Sequence, residues 1–206
     1  MGVTRLRELL ARALRDQDPE ADPSFAAPNP AFNELTAYAD FEELLVASEY
    51  LRLGPTGERQ LHARLLADSN MSPERRLAEV LRVLEDESDP TVIRWLVFGL
   101  RNAASPTALG LLRELANHES PEVRFPVPDA LSASAETFEA IADVLLELSR
   151  DEDPDVRWSA VFELGAWWTE IKDPRIRDRL REVQESDPSY KVRRAAAEGL
   201  DPNEAT

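Results

Sequence analysis

Four carboxylates in one short stretch of the chain are the side chains best suited to recognising a ligand by charge. They are Glu136, Glu139, Asp143 and Glu147. At 100° per residue these four lie within about 80° of one another on a helix, opposite an apolar stripe. That stripe consists of Phe138, Ile141, Leu145 and Leu148. Because acids four positions apart repel each other weakly, the spacing predicts either a ridge that attracts a basic partner or a merely solvated face.

The residues that enzymes use for catalysis are scarce in this sequence. There is no cysteine, which excludes thiolate nucleophiles, disulfides and cysteine-based zinc sites. The two histidines, His62 and His118, are not in a metal-ligand spacing, and no phosphate-binding glycine loop or Gly-x-Ser-x-Gly motif occurs. We interpret both histidines as surface residues. The sequence predicts no catalytic residue, no metal site and no cofactor.

Two adjacent tryptophans, Trp167 and Trp168, are the aromatic residues most typical of a binding surface. Neighbouring residues on a helix point about 100° apart, so both rings can hardly be buried in one interface. One of them is therefore a candidate surface hot spot, and we group the pair with the four acids as candidate partner-binding residues. The other two tryptophans, Trp95 and Trp158, are predicted to be core, because Trp158 shares a helical face with Phe162.

The charge of the chain restricts its partners. A net charge of −16 repels nucleic-acid phosphates and anionic lipid surfaces, and it favours encounter with basic proteins. We therefore expect a basic protein surface as the partner, and neither nucleic acid nor a membrane. No apolar segment is long enough to span a bilayer, and residues 1–17 lack a signal-peptide pattern, so we expect a cytoplasmic protein.

Four similar segments indicate how these residues are positioned. They are DPTVIRWLVFGL from Asp89, SPEVRFPVPDAL from Ser120, DPDVRWSAVFEL from Asp153 and DPSYKVRRAAAEGL from Asp187. Each opens with Asp-Pro or Ser-Pro, which is typical of a helix N-cap followed by proline at the first helical position. Second helices with apolar stripes follow, so the unit is a helical hairpin of just over thirty residues. Pro126 and Pro128 each remove one helical hydrogen bond, which predicts a bent first helix in the second segment.

These segments resemble the HEAT-like repeats of phycobilin-lyase subunits and of many bacterial proteins. The resemblance rests on Asp-Pro-x-Val-Arg before an apolar helix, clearest in DPDVRWSAVFELG and SPEVRFPVPDALS. It implies an all-α fold, a right-handed α-solenoid whose second helices line the concave face. It also implies that an arginine of each repeat pairs with acids of the adjacent turn; these are Arg124, Arg157 and Arg193. The alternative is a basic ligand-binding row, and the first segment departs from the pattern with Ile93 in that place.

The domain organisation follows from where the repeats become recognisable. The HEAT-like array is predicted over residues 55–206, with weaker hairpin helices over 55–68 and 72–86. Residues 1–54 are predicted to form an N-terminal helical cap, since terminal repeats diverge where one face meets water. The cap contains helices over 3–16 and 37–53, separated by a Pro-rich loop over 16–33.

The favoured hypothesis for function is a non-enzymatic module whose acidic concave groove binds a basic macromolecule. An inhibitor or immunity-like protein that holds a cationic nuclease is one specific version. One alternative is a HEAT-like DNA glycosylase, with Trp95, Trp158 and Asp129 near the lesion, although such enzymes use a basic concave face. Another is a phycobilin-lyase-like chaperone, although this chain has no cysteine with which to hold a bilin through a thioether.

Overall fold

The computed structural model describes residues 3–16, 29–37, 41–68, 70–135 and 137–200, which form helices and turns. Within these ranges there is no β-strand, and no helix is long and apolar enough to cross a membrane. The α-helices are α1 (Val3–Arg15), α2 (Pro30–Thr36), α3 (Phe41–Ser48), α4 (Thr56–Asp68), α5 (Pro73–Leu84), α6 (Pro90–Gly99), α7 (Pro106–Leu115), α8 (Pro121–Arg124), α9 (Val127–Ser134), α10 (Ala142–Leu148), α11 (Pro154–Ile171), α12 (Pro174–Ser186) and α13 (Tyr190–Gly199). Short 3-10 helices cover Glu49–Leu53 and Phe138–Ala140. The prediction of an all-α solenoid class is confirmed.

Six of the described α-helices begin where the sequence has Asp-Pro or Ser-Pro. The proline is the first helical residue of α5, α6, α7, α8, α11 and α12. In all of these except α8, a side-chain oxygen of the preceding residue accepts a backbone N–H of the first turn. Asp153 Oδ1, for example, accepts the N–H of Asp155 at 2.9 Å. Because these N–H groups have no partner inside the helix, the capping residue fixes where each helix starts.

The chain forms two compact units, Met1–Ala103 and Ala104–Thr206. In the first unit, α1 packs against α2, α3 and α4, and α4 packs against α5 and α6. In the second unit, α11 packs against α9, α10, α12 and α13. Each unit therefore buries its apolar stripes helix on helix, as stacked hairpins do.

The N-terminal segment differs from expectation at the end of the Pro-rich loop. The loop expected over 16–33 stops at Asn29, because α2 begins at the next residue. Asn29 Oδ1 accepts the N–H of Phe32 at 3.0 Å, and Asn29 Nδ2 donates to the carbonyl of Ala13 at 3.0 Å. Asn29 thus caps α2 and ties it to α1. Residues 17–28 of the expected loop and 38–40 of the expected helix lie outside the described ranges.

The two prolines of the second segment divide its first helix. α8 ends at Arg124 and α9 begins at Val127. Pro126 has no N–H to donate to the carbonyl of Glu122, so α8 does not continue through it, whereas Pro128 lies in the first turn of α9, where its N–H would have no partner in that helix. The predicted bend is confirmed as a break, and it sets the direction of α9.

Two glycines allow α11 and α13 to approach at backbone distance. A Cβ atom on Gly165 would lie 2.9 Å from Gly199 Cα, closer than real Cβ atoms approach another atom. We expect Gly165→Ala to lower the free energy of unfolding by about 1–3 kcal/mol, because backbone atoms must shift to make room. This loss exceeds the gain from the helix propensity of alanine, which is at most about 1 kcal/mol. Urea denaturation of the variant measures the difference.

Gly110 offers a matched control for that substitution. It lies inside α7, and a Cβ atom there would have nothing within 4 Å. Gly110→Ala is therefore expected to stabilise the protein by roughly 0.5–1 kcal/mol through helix propensity alone. A Gly165→Ala variant that gained as much stability as Gly110→Ala would show that α11 and α13 do not touch at this point.

Candidate functional site

The arginine of the second repeat is held between two successive turns. Arg124 Nε and Nη2 donate to the carboxylate of Asp151 at 2.7 and 2.8 Å. Arg124 Nη1 donates to the carbonyls of His118 and Glu119 at 2.8 and 2.9 Å. The side chains of Arg124 and Asp151 are both buried. The guanidinium therefore joins its own turn to the turn that opens the next repeat.

Arg157 makes the same contacts one repeat further on. Its Nε and Nη2 donate to the carboxylate of Asp187 at 2.8 and 3.1 Å. Its Nη1 donates to the carbonyls of Asp151 and Glu152, both at 2.9 Å. Arg193 repeats only the second half of this pattern, because it donates to the carbonyls of residues 187 and 188. These contacts occupy the three arginines within the repeat, which favours the structural interpretation over a ligand-binding row.

The two acids that pair with these arginines, Asp151 and Asp187, also help to start the next helix. Asp151 Oδ1 accepts the N–H of Asp153 at 2.9 Å, and Asp187 Oδ1 accepts the N–H of Ser189 at 2.8 Å. Burial raises the pKa of Asp151, but the hydrogen bonds from Arg124 and from the backbone outweigh it, so the pKa lies below its usual value. The same balance lowers the pKa of Asp187. Both acids are therefore charged at neutral pH.

The first unit contains a similar arginine–carboxylate pair that the sequence pattern did not reveal. Arg59 Nε donates to Glu87 Oε2 at 2.8 Å, and Glu87 Oε1 accepts the N–H of Asp89 at 2.8 Å. The signal is positional, since Glu87 stands two residues before the N-cap of α6, as Asp151 and Asp187 do before theirs. The equivalence was not apparent in the sequence because Glu87 stands where the later repeats have an aspartate.

His118 occupies the same position before α8. Its Nδ1 accepts the N–H of Ser120 at 3.0 Å, and its side chain is half-buried. The histidine thus accepts the N-cap residue's N–H as the acids do elsewhere in the repeats. This is a structural role, and it corrects the interpretation of His118 as a simple surface residue.

The predicted acidic ridge is only partly helical. Glu139 lies in the 3-10 helix, whereas Asp143 and Glu147 lie in α10, and all three are exposed. Glu136 lies outside the described residues. Ile141, at φ −127°, interrupts the helix before α10, so the expectation of one regular helix from Glu136 is wrong. A 3-10 turn brings residues three apart to the same side, which lets Phe138 and Ile141 both be buried there.

A basic residue of the next repeat lies beside the ridge. Arg175 Nη1 is 3.8 Å from Asp143 Oδ1, although its shorter contact, 2.8 Å, is with Asp173. The carboxylates of Asp173, Asp143 and Glu139 raise the pKa of Arg175. The Asp143 side chain nevertheless remains 98% exposed. The carboxylates of Glu139, Asp143 and Glu147 therefore remain in solvent, and Arg175 offsets part of the negative charge near Asp143.

The two adjacent tryptophans have different environments. Trp168 is buried, which removes it from any surface contact and corrects its inclusion among the partner-binding candidates. Trp167 is half-buried, and its Nε1 donates to Ser132 Oγ at 3.2 Å. Its ring centre lies 5.7 Å from that of Phe138. Trp167 is thus the member of the pair that reaches the surface, in a fixed orientation.

Trp167 forms one wall of an open groove between α9 and α11. The volume of this groove is about 340 Å³. Its lining residues are Asp129, Ser132, Ala133, Glu163, Ala166, Trp167 and Glu170. The sequence did not predict it, because its acids lie on two helices that are brought together only by packing of successive repeats.

Comparison with protein-family models identifies the repeats. The model for HEAT repeats matches residues 77–148 and again residues 141–201, which together exceed half of the chain. The chain belongs to the HEAT-repeat family. HEAT repeats typically provide scaffolds for protein interaction, and the family is generally non-enzymatic. A search of curated proteins gave no match.

A solved HEAT-like structure with a similar fold is that of YibA from Escherichia coli. The two chains are 17% identical, with a TM-score of 0.57. The alignment covers 94% of the present chain and 73% of YibA. At this identity the likeness supports the fold alone.

The outer aromatic residues of this HEAT protein are less buried than predicted. Trp158 is half-buried and stacks between Phe125, at 6.4 Å, and Phe162, at 5.8 Å. Phe162 itself is 56% exposed. Trp95 is also half-buried, with its ring 5.9 Å from that of Phe98. Trp95 and Trp158 are therefore not fully buried core residues, because the faces of α6 and α11 on which they lie are only partly covered, although Trp158 does pack against Phe125 of the preceding repeat.

His62 is the second residue whose environment differs from expectation. It is buried in α4, not exposed, and neither ring nitrogen has a hydrogen-bond partner among the described residues. Burial lowers its pKa to about 4, so it is neutral at physiological pH. No group of three or more His, Asp or Glu side chains in the described ranges is arranged to hold a metal ion. Protonation of buried His62 therefore opposes folding.

Proposed function

We propose that this HEAT-repeat chain is a non-enzymatic interaction module that binds a basic protein surface through acids of its second unit. One observation carries the proposal. Glu139, Asp143 and Glu147 are exposed on a segment whose apolar stripe, Phe138, Ile141, Leu145 and Leu148, is buried on the other side, so packing gives no reason for the carboxylates. A net charge of −16 favours the same class of partner and opposes phosphate backbones. A cationic enzyme held by an inhibitor or immunity-like protein is one partner of this kind.

The positions of Asp129, Trp95 and Trp158 do not support the alternative that the chain is a DNA glycosylase. Asp129 does line a groove, but Trp95 and Trp158 are not among the residues that line it. The aromatic wall is Trp167, and two further carboxylates, Glu163 and Glu170, face the same space. A site that receives a DNA strand needs basic side chains to bind phosphates, and this groove is lined by acids.

The proposal predicts a salt-dependent association rate. A partner captured with the wild-type chain is to be measured against a Glu139→Lys, Asp143→Lys, Glu147→Lys variant across a range of ionic strength. We expect association at low salt to slow by about tenfold or more in the variant, because charge steering acts mainly on the encounter rate. The difference should shrink as salt screens the charges over about 8 Å or less.

A matched variant separates the ridge from net charge. Glu8→Lys, Glu85→Lys and Glu114→Lys change three exposed acids outside the ridge and alter the net charge equally. If both triple variants, equally folded by circular dichroism, associated at the same rate, the ridge would be a solvated face. Capture of a protein by the wild-type chain would not by itself show that the ridge binds it.

A further inference from the structure

We propose that the chain forms a homodimer in which an exposed apolar row of the first unit packs against the same row of a second copy. The row consists of Val46, Tyr50 and Leu53, and we refer to it as the Tyr50 row. This inference goes beyond the proposed function, because it concerns the other unit of the chain and a different partner. Each of the two proposals can therefore fail without the other.

The three side chains of the Tyr50 row are apolar and yet lie in solvent. Val46 and Leu53 are 75% and 78% exposed, and Tyr50 is 49% exposed. Val46 lies in α3, and the other two lie in the 3-10 helix over Glu49–Leu53. Residues four apart share a face of an α-helix, and residues three apart share a side of a 3-10 helix. The three side chains therefore line one face of the segment.

Packing within the chain accounts for the opposite face of this segment. Leu44, Ala47 and Leu51 are at most 2% exposed and belong to the hydrophobic core of the first unit. The segment is thus already anchored by a buried face, and its exposed apolar face is not needed for the fold. Large apolar side chains grouped on a protein surface mark interaction sites.

Two acids of the same segment are occupied by arginines of α5. Glu42 accepts from Arg75 Nη2 at 3.4 Å, and Glu49 accepts from Arg82 Nη2 at 2.9 Å. These carboxylates already have a cation, so they do not attract a basic partner as the ridge of the second unit does. The Tyr50 row offers apolar contact, which is typical of the core of an interface.

One charge of each sign lies beside the Tyr50 row. Arg7 is exposed on α1, which packs against α3. Glu58 lies near the other end, since a Cβ atom on Gly54 would meet its carboxylate. Burial and the carboxylate of Glu58 raise the pKa of Tyr50, and Arg7 lowers it, so both charges act on the phenol. The surroundings of the row therefore carry two opposite charges and favour neither a cationic nor an anionic partner.

A second copy is the partner that complements this arrangement. In a twofold interface each surface meets the same surface in the opposite direction. A pairing centred on Tyr50 places Val46 of one copy against Leu53 of the other. It also places Arg7 of one copy beside Glu58 of the other, and neither of these has an ion-pair partner among the described residues. Two intermolecular ion pairs then flank one buried apolar row.

Sedimentation velocity of the full chain over a concentration series tests the dimer. Three side chains make a small interface core, so we expect a dissociation constant of about 10–100 μM. The apparent mass should rise towards twice the monomer mass as the concentration reaches about 0.5 mM. A chain that stayed monomeric over this range would overturn the second copy as the partner.

Two double variants with unchanged net charge locate the interface. Val46→Ser with Leu53→Ser changes the Tyr50 row. Phe162→Ser with Tyr190→Ser changes two aromatic residues of the second unit that are 56% and 71% exposed. We expect the first variant to weaken dimerisation at least about tenfold and the second less than about twofold, because only the first removes apolar surface that the dimer buries. Equal weakening, in variants whose thermal melting shows a retained fold, would mean non-specific adhesion and would overturn the proposal.

A charge exchange tests the twofold pairing itself. Arg7→Glu and Glu58→Arg each bring like charges together and should weaken dimerisation about threefold or more. Glu58→Arg is the sharper of the two, because it lowers the net negative charge and would strengthen a dimer that was limited only by overall repulsion. The Arg7→Glu, Glu58→Arg double variant restores opposite charges across the interface and should dimerise within about twofold of the wild type. If its loss equalled the combined losses of the single variants, the twofold pairing would be wrong.

Discussion

Replacing Arg157 with methionine is expected to lower the free energy of unfolding by about 3–5 kcal/mol. The substitution removes the guanidinium but leaves the Asp187 carboxylate, whose side chain is only 6% exposed, without its charged partner. The two carbonyls that accept from Arg157 Nη1 lose their donor as well. Unpaired buried charge accounts for most of the loss. Guanidinium or urea denaturation at neutral pH measures it as a shift in the midpoint at constant slope.

Arg193 provides the control, because its guanidinium donates to two backbone carbonyls at the end of the array. Arg193→Met is expected to destabilise the protein by only about 1 kcal/mol, since no buried carboxylate is left behind. In the Arg157→Met, Asp187→Asn double variant, part of the lost stability should return, because an amide needs no cation. If Arg157→Met and Arg193→Met lowered the free energy of unfolding equally, the buried arginine–aspartate pair would not be what joins the repeats.

Three of the four segment starts were predicted correctly because their determinants are local, whereas in the fourth segment α13 begins at Tyr190 with Ser189 as its N-cap and not at Pro188. Asp-Pro and Ser-Pro place an N-cap acceptor and a residue without N–H at adjacent positions, and this preference needs no tertiary information. The same applies to the break in the first helix of the second segment, where Pro126 and Pro128 remove hydrogen bonds wherever the helix lies. The apolar stripe that begins at Phe138 was also predicted, and its four residues are buried.

The candidate groove could not be predicted because it exists only between helices. Asp129 and Trp167 are far apart in sequence and line one groove only because α9 packs against α11. The regular helix expected through Glu139 was also wrong, because Phe138–Ala140 form a 3-10 turn and Ile141, at φ −127°, interrupts the helix before α10. Residues three apart share a face in either kind of helix, so the spacing of Phe138 and Ile141 gave no sign of this break. The burial of His62 likewise depends on α4 being covered on several sides, which the modest apolar pattern of that helix does not indicate.

Buried His62 is expected to make the stability of the protein depend on pH between about 6.5 and 4. Burial lowers its pKa from the ordinary 6.5 to about 4, against the attraction of Glu49 and Glu79, while Arg82 and Arg52 lower it further. Between these two values the unfolded chain binds a proton that the folded chain does not. Stability is therefore unaffected by this group above pH 6.5 and falls as the pH decreases, by about 3 kcal/mol at pH 4.

Urea denaturation at a series of pH values from 7.5 to 4.5 tests this dependence by comparing the wild type with His62→Leu. His62→Leu should flatten the profile in this window and raise stability at pH 5, because it removes the group that the unfolded state protonates. Glu49, whose pKa is lowered to about 2 chiefly by hydrogen bonds from Arg82, adds a loss of stability only as the pH falls below its ordinary 4.5, outside most of the measured range. A slope that survived in His62→Leu would show that other groups take up the proton on unfolding.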